Sequence, residues 1–347
     1  MNEAGGRLLL YAPNVHTGGG LVLLEALLAA WPASEPLHAW LDERARHRLS
    51  LPEGSKVQWV LARLGSRLAA EWSLCRAATA ADRVLCFHGL PSLLPSAARM
   101  ELFQQNRNYL GQVPLSVFGW RTRQRLRFEQ ALSRWGRRRV HTYWVQTPSM
   151  AEALRQWWGE DRAGLDVRVL PFVPVPPASV PDDAAGTHYD FVYVADGEAH
   201  KNHRRLVLAW TLLASQGLRP SLALTLSERD GQLSDWIQAQ CVQHGLRIHQ
   251  LGSLSYAQVQ GLYRRARALV FPSLGESFGL PLLEAQSQGC AIVASELDFV
   301  RDVCEPVQTF DPHSPVSIAR ALRRFLQQPE RPAAPANAEA FLRALLG

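Results

Sequence analysis

Two carboxylates eight positions apart, Glu276 and Glu284, flank the segment Ser277-Phe278-Gly279-Leu280-Pro281-Leu282-Leu283. Carboxylates are poor phosphate ligands and good acceptors for hydroxyl groups. The segment between them reads as a close-approach turn at Gly279 followed by a helix start, where Pro281 is tolerated because its missing N–H has no partner to lose. Main-chain N–H groups at a helix start form a ready anion site. The layout suits a ligand that is anionic in the middle and rich in hydroxyls at both ends. A sugar joined to a nucleoside by a diphosphate is such a molecule.

Three further groups could act on the same ligand. Lys201, one of only two lysines in the chain, sits in the polar run Asp196-Gly197-Glu198-Ala199-His200-Lys201-Asn202 after an apolar segment. An ammonium on a strand-exit loop can neutralise charge that builds on a leaving diphosphate. Gly18-Gly19-Gly20 lacks Cβ atoms, so its N–H groups can approach a phosphate or sugar closely, with Gly19 and Gly20 as the expected donor contacts. On the acceptor side stand His16, His88, Gln105 and Asn106. Amides both donate and accept, which suits sugar hydroxyls, although the run from Gln104 to Tyr109 also reads as a cap or turn.

These groups need elements that place them at one cleft. The chain has 347 residues, 47% of them apolar, which fits two domains of ordinary size. Arg7–Pro13 reads as a first strand, with the glycine loop after it and an apolar helix over Leu21–Trp31. Further strands are expected at Lys56–Leu61, Arg83–Phe87, Leu115–Phe118, Thr142–Gln146 and Val167–Leu170. After a Pro-rich stretch the pattern restarts with strands at Asp190–Ala195, Ser221–Leu226, Arg247–Leu251, Ala268–Phe271 and Ala291–Ser295. The expected division is an acceptor-side domain over 1–175, a linker over 176–188, a nucleotide-sugar-binding domain over 189–330 and a tail helix over 331–347. The fold class is α/β: two Rossmann-like, doubly wound domains facing a cleft, the default ligand site.

The stretch Phe271-Pro272-Ser273-Leu274-Gly275-Glu276 through Glu284-Ala285 closely resembles the E-x7-E signature of the retaining glycosyltransferases of family four, which have the GT-B fold. Gly289-Cys290-Ala291-Ile292-Val293-Ala294-Ser295 continues the match in register. The resemblance is strong from about 190 to 325 and weak before 180. It implies that Glu276 contacts the donor sugar, that Glu284 holds the ribose, and that the backbone of Ser277, Phe278, Gly279 and Leu280 binds sugar and phosphate. By position, Lys201 is similar to the family's diphosphate-binding Lys. Many members carry an Arg a few residues before it, whereas Asp196 and Glu198 occupy this loop. Another cation (Arg204, Arg205 or one from the first half) is expected to replace it, or diphosphate binding is weaker. The active-site His of several relatives cannot be carried over to Gln105 or Asn106.

The resemblance implies a hexosyltransferase that moves a sugar, with retention, to a glycan or lipid-linked acceptor of the bacterial lipopolysaccharide or O-antigen type. The nucleotide-sugar is a substrate, and no cofactor is expected. No Asp-x-Asp occurs in the sequence, so no metal is expected either. A GT-B-fold sugar-nucleotide epimerase and a degenerate, non-catalytic partner subunit are the alternatives.

The net charge of +6 is uneven: residues 1–175 carry 22 Arg and Lys against 14 Asp and Glu, while 176–347 carry 15 against 17. The excess concentrates in Arg121, Arg123, Arg125, Arg127, Arg137, Arg138 and Arg139, interleaved with Trp120, Phe128 and Trp135. Arg with Trp suits the headgroup level of an anionic membrane. Nucleic acid is not the expected partner, because no binding motif accompanies the run. No stretch approaches the roughly 20 apolar residues that span a bilayer, and no basic-then-apolar leader opens the chain. Five cysteines without a CxxC pair favour buried thiols. The expected location is cytoplasmic, peripheral on the inner face of the membrane.

Overall fold

The computed structural model describes residues 6–111, 115, 118–159, 164–174 and 188–328. The expected linker, apart from residue 188, and the tail helix lie outside the described residues.

The first half contains β1 (Leu8–Ala12), α1 (Gly18–Ala29), β2 (His38–Asp42), β3 (Lys56–Val60), α2 (Leu64–Ala77), β4 (Arg83–Cys86) and β5 (Arg99–Phe103). It continues with α3 (Trp120–Gly136), β6 (Val140–Val145), α4 (Pro148–Trp158) and β7 (Asp166–Val169). The second half contains β8 (Tyr189–Tyr193), α5 (His203–Ser215), β9 (Leu222–Leu224), α6 (Gly231–His244), β10 (Ile248–Gln250), α7 (Tyr256–Arg264) and β11 (Ala266–Phe271). It closes with α8 (Leu280–Ser287), β12 (Ala291–Ser295), α9 (Asp298–Arg301), β13 (Gln308–Phe310) and α10 (Pro315–Phe325).

Both sheets are parallel throughout, in the orders β3-β2-β1-β4-β5-β6-β7 and β10-β9-β8-β11-β12-β13. Parallel neighbours need crossovers, and the crossover helices cover both faces. The central strands are therefore apolar on both sides: Leu9, Leu10, Ala268, Leu269, Val270 and Phe271 are fully buried. Strand order reverses between β1 and β4 in the first sheet, and between β8 and β11 in the second. Ligands bind beyond the strand C-termini at such switch points. The segments leaving those four strands carry His16, His88, Lys201 and Glu276, one candidate from each.

Three expectations need correction. The described residues of the expected strand Leu115–Phe118 are not strand: Leu115 is helical and Phe118 lies in a bend. The strand beside β4 is β5, which the sequence reading missed together with β2 and β13. The glycine triplet is not a loop ahead of the first helix but its first turn. Gly18 has φ +65°, a conformation that a side chain would strain.

The second-half core also encloses His203, which is 3% exposed with both ring nitrogens unpartnered. Its ring lies 4.8 Å from that of Tyr193. Burial, with the Lys201 charge, pushes its pKa down to about 3, so it is a neutral core histidine at ordinary pH.

Candidate functional site

The loops that leave β8 and β11 are pinned to each other. Asn202 stands at φ 64°, in the left-handed region, and starts α5. Its Nδ2 donates to the carbonyls of Pro272 (3.0 Å) and Pro312 (2.8 Å). The amide of Leu274 donates to the His200 carbonyl at 2.8 Å. The Tyr193 hydroxyl donates to the Lys201 carbonyl at 2.8 Å and lies 3.0 Å from Ser273 Oγ. Position 201 is thus held from below by β8 and from the side by the strand exit that carries Glu276.

Their side chains meet as a consequence. Lys201 Nζ donates to Glu276 Oε1 at 2.9 Å and Oε2 at 3.1 Å. The two side chains are 17% and 12% exposed. Burial opposes both charges, but each ion offsets that cost for the other. The Glu276 carboxyl ends below its ordinary value, helped by Lys201, His200 and Ser273. The Lys201 ammonium ends above its own, helped by Glu276, Asp196 and Glu198. The pair is charged across the neutral range.

A cavity of about 870 Å³ lies between the halves, and this pair is in its wall. Glu276, Ser277, Lys201, His200, Asp196 and Glu198 line it from the second half. His16, His88, Gln105, Asn106 and Arg107 line it from the first. The halves also touch directly. Thr147 Oγ1 donates to the Ser277 carbonyl at 3.4 Å, and the Ser149 amide donates to Asp302 Oδ2 at 2.8 Å. Leu280 packs on the first-half core, and a Cβ added at Gly19 would meet its Cδ1 at 3.2 Å.

Comparison with known proteins shows what the second half resembles. Residues 181–340 match the family model described as "Glycosyl transferases group 1". The second half of the chain is therefore similar to that family.

Relatives of this chain include the Escherichia coli "Serotype-specific mannosyltransferase WbdA", 26% identical over 208 residues, covering 54% of this chain and 25% of WbdA. The E. coli "O-antigen chain mannosyltransferase B" is 36% identical over 115 residues, covering 32% of this chain and 30% of the relative. The chain thus matches between a quarter and a third of the length of these relatives. Fold similarity extends over both halves. The Anabaena protein HepE in complex with UDP and glucose has TM-score 0.65 and 14% identity, covering 92% of this chain and 90% of HepE. The lipopolysaccharide outer core galactosyltransferase WaaB has TM-score 0.61 and 15% identity, covering 93% and 90%. The two facing parallel-sheet halves have the GT-B architecture.

The remaining sequence candidates fall differently. Phe278, Gly279 and Leu280 turn away from the cavity lining into α8, with Gly279 at φ +80° as the residue before its first turn. Glu284 lies one turn deeper, half-buried, accepting from the Tyr263 hydroxyl at 3.4 Å, and burial raises its pKa. It is outside the cavity lining, as are Gly19 and Gly20. A Cβ on Gly20 would meet Gln105 Oε1 at 3.1 Å, so that glycine lets the Gln105 side chain approach α1.

The acceptor-side candidates have structural duties as well. Gln105 Nε2 donates to the Phe87 carbonyl at 2.7 Å, and Asn106 Oδ1 caps a one-turn helix by accepting from the Asn108 amide at 3.0 Å. His16 Nδ1 lies 3.7 Å from Asp42 Oδ2. His88 packs edge-on to Tyr109, and burial pushes its pKa down to about 4.

The basic run does not present one continuous face. Arg123 turns back to donate to the Phe118 carbonyl at 3.3 Å, and Arg125 lines the cavity. Arg137 lies 5.0 Å over the Trp158 ring, and Arg139 donates to the Leu93 carbonyl at 2.6 Å while covering Trp135 at 4.3 Å. Arg121, Arg127 and Arg138 remain outward. On α3, Trp120 is 69% exposed, and Phe128 and Trp135 are each 64% exposed. Among the described residues no helix is long and apolar enough to cross a membrane. No three His, Cys, Asp or Glu side chains among them could hold a metal ion.

Sequence reasoning missed Arg107 and Asn202 as site residues. Both sat inside polar runs that were read for their neighbours. Asn202 carried one usable signal, since Asn is among the few residues that enter the left-handed region readily before a helix.

Proposed function

We propose that this protein is a retaining, metal-independent glycosyltransferase. It moves a sugar from a nucleotide-sugar to a hydroxyl of a glycan or lipid-linked acceptor in bacterial surface polysaccharide or lipopolysaccharide synthesis. The observation that carries the reading is the Lys201–Glu276 pair in the wall of a cavity shared by two switch points. The mannosyltransferase relatives, and a fold neighbour solved with UDP and glucose, support the same substrate class.

In this reaction the bond between the anomeric carbon and the diphosphate oxygen breaks. A new bond from that carbon to the acceptor oxygen forms on the same face. The acceptor proton passes to the departing phosphate oxygen. Lys201 neutralises the charge growing on the diphosphate. Ionised Glu276 accepts from sugar hydroxyls. The donor class follows from a thermal-shift panel of GDP-, UDP-, ADP- and dTDP-sugars. One base should stabilise the protein selectively, by about 2.7 kcal/mol at a hundred times Kd. If no member of the panel shifts the melting transition, the reading is wrong.

The acceptor side adds a membrane partner to the proposal. α3 presents Trp120, Arg121, Arg127, Phe128, Arg134 and Trp135 outward. An exposed Arg near an anionic leaflet contributes about 1 kcal/mol, and Trp suits the interface. Vesicles with anionic lipid should therefore carry the protein in flotation far better than neutral ones. Equal flotation with both removes this partner.

A further inference from the structure

The two walls of the cavity carry opposite charge. From the second half come the carboxylates of Asp196, Glu198 and Glu276, against the single ammonium of Lys201. A diphosphate laid on that wall alone would meet more negative than positive charge. From the first half come Arg44, Arg67, Arg107 and Arg125, against Glu71 and Glu129.

Three of these four arginines are committed or distant. Arg44 grips Asp42 through two hydrogen bonds of 2.9 and 2.7 Å. Arg125 Nε lies 3.9 Å from Glu129, on the exposed side of α3. Arg67, on α2, has its charge felt by Tyr11, His88, Tyr109 and Glu129, all in the first half. Arg107 differs. It follows β5 at the C-terminal edge of the sheet and faces the other half. Its Nη2 donates to Ser149 Oγ at 3.0 Å, and its buried Nε has no partner. Burial pushes its pKa down, and the carboxylates of Asp302, Asp298 and Glu276 offset this only in part. It is a half-buried cation with an unused N–H, within electrostatic reach of the Lys201–Glu276 pair.

We propose that Arg107 binds the diphosphate of the donor from the first half, so that the anion is held between Arg107 on one wall and Lys201 on the other. This rests on the nucleotide-sugar reading above. A guanidinium suits the role because its fork of N–H donors matches phosphate oxygens while one donor stays on Ser149. A nucleoside monophosphate does not need to reach the second cation, so the assignment separates diphosphate from monophosphate binding.

The test is titration of the full chain with UDP, GDP and ADP, and with the matching monophosphates, for wild type, Arg107→Met and Arg107→Lys. Losing a charge-assisted hydrogen bond lowers affinity by about 10- to 100-fold. That loss is expected for the diphosphate of the preferred base in Arg107→Met. Monophosphate binding should stay within about twofold, and Arg107→Lys should recover part of the loss, since a charge without the fork keeps some of the attraction. Melting without nucleotide separates a binding effect from unfolding. Equal diphosphate affinity in wild type and Arg107→Met overturns the assignment and leaves the nucleotide-sugar reading standing. If no diphosphate binds wild type, both fall together.

Discussion

Lys201→Ala is expected to lower kcat by roughly 10²- to 10³-fold, the usual cost of removing one group that stabilises charge developing in a transition state. Glu276→Gln is expected to fall in the same range, because the amide keeps the shape but loses the ionised acceptor. The folding consequences differ. Lys201→Ala leaves a carboxylate that is 12% exposed without its counter-ion, and Glu276 then takes up a proton more readily because burial is the largest influence on it. This variant should melt lower than Glu276→Gln. The pair also sets a pH signature for stability. The lowered carboxyl contributes stability above its ordinary value and loses it as pH falls through the folded value. The raised ammonium contributes below its ordinary value and loses it as pH rises through the folded one. Single-turnover assays with a saturating donor check the kinetic claim. Near-normal rates in both variants would refute the assigned roles.

Asn202→Ala should cost about 3 to 4 kcal/mol, a large effect for one side-chain amide. Two hydrogen bonds to the carbonyls of Pro272 and Pro312 disappear in a site that is 4% exposed. Each contributes about 1 kcal/mol, and leaving buried acceptors unpaired costs more. Alanine at φ 64° adds about 1 to 2 kcal/mol of left-handed strain. Asn202→Gly removes the strain but not the lost hydrogen bonds, so it should fall between alanine and wild type in urea denaturation. Turnover should drop with both substitutions, since Asn202 positions Lys201 by tying its loop to the β11 exit. An alanine variant as stable as wild type would contradict this account.

How much of this was legible in the sequence depended on whether one residue type could speak alone. Lys201 stood out because lysine is rare in an arginine-rich chain, and Glu276 because its surroundings spelled a strand, a turn and a helix. The central strands were legible as unbroken apolar runs, since parallel strands are buried on both faces. β2 and β5 were not, for a physical reason. Asp42 is fully buried yet held by Arg44, and Glu101 is 7% exposed yet accepts from the Trp144 indole at 2.7 Å. Charged residues inside a strand break the apolar pattern, and the partners that make them tolerable are distant or unannounced. Leu115–Phe118 misled in the opposite direction, being short and apolar without a place in the sheet. Arg107 was invisible because its meaning lies in what it lacks, a partner for Nε, which only packing reveals.

The Lys201–Glu276 contact has one more consequence. The ammonium is already engaged with a carboxylate, so on the proposed nucleotide-sugar reading capture would be an exchange of anions, with phosphate oxygens displacing or sharing the place of that carboxylate. Much of the desolvation of the ammonium was met when the chain folded, and the vacated carboxylate would be free for sugar hydroxyls at the moment it is needed. On departure of the spent nucleotide, the same side chains would re-form their bond and ease its release.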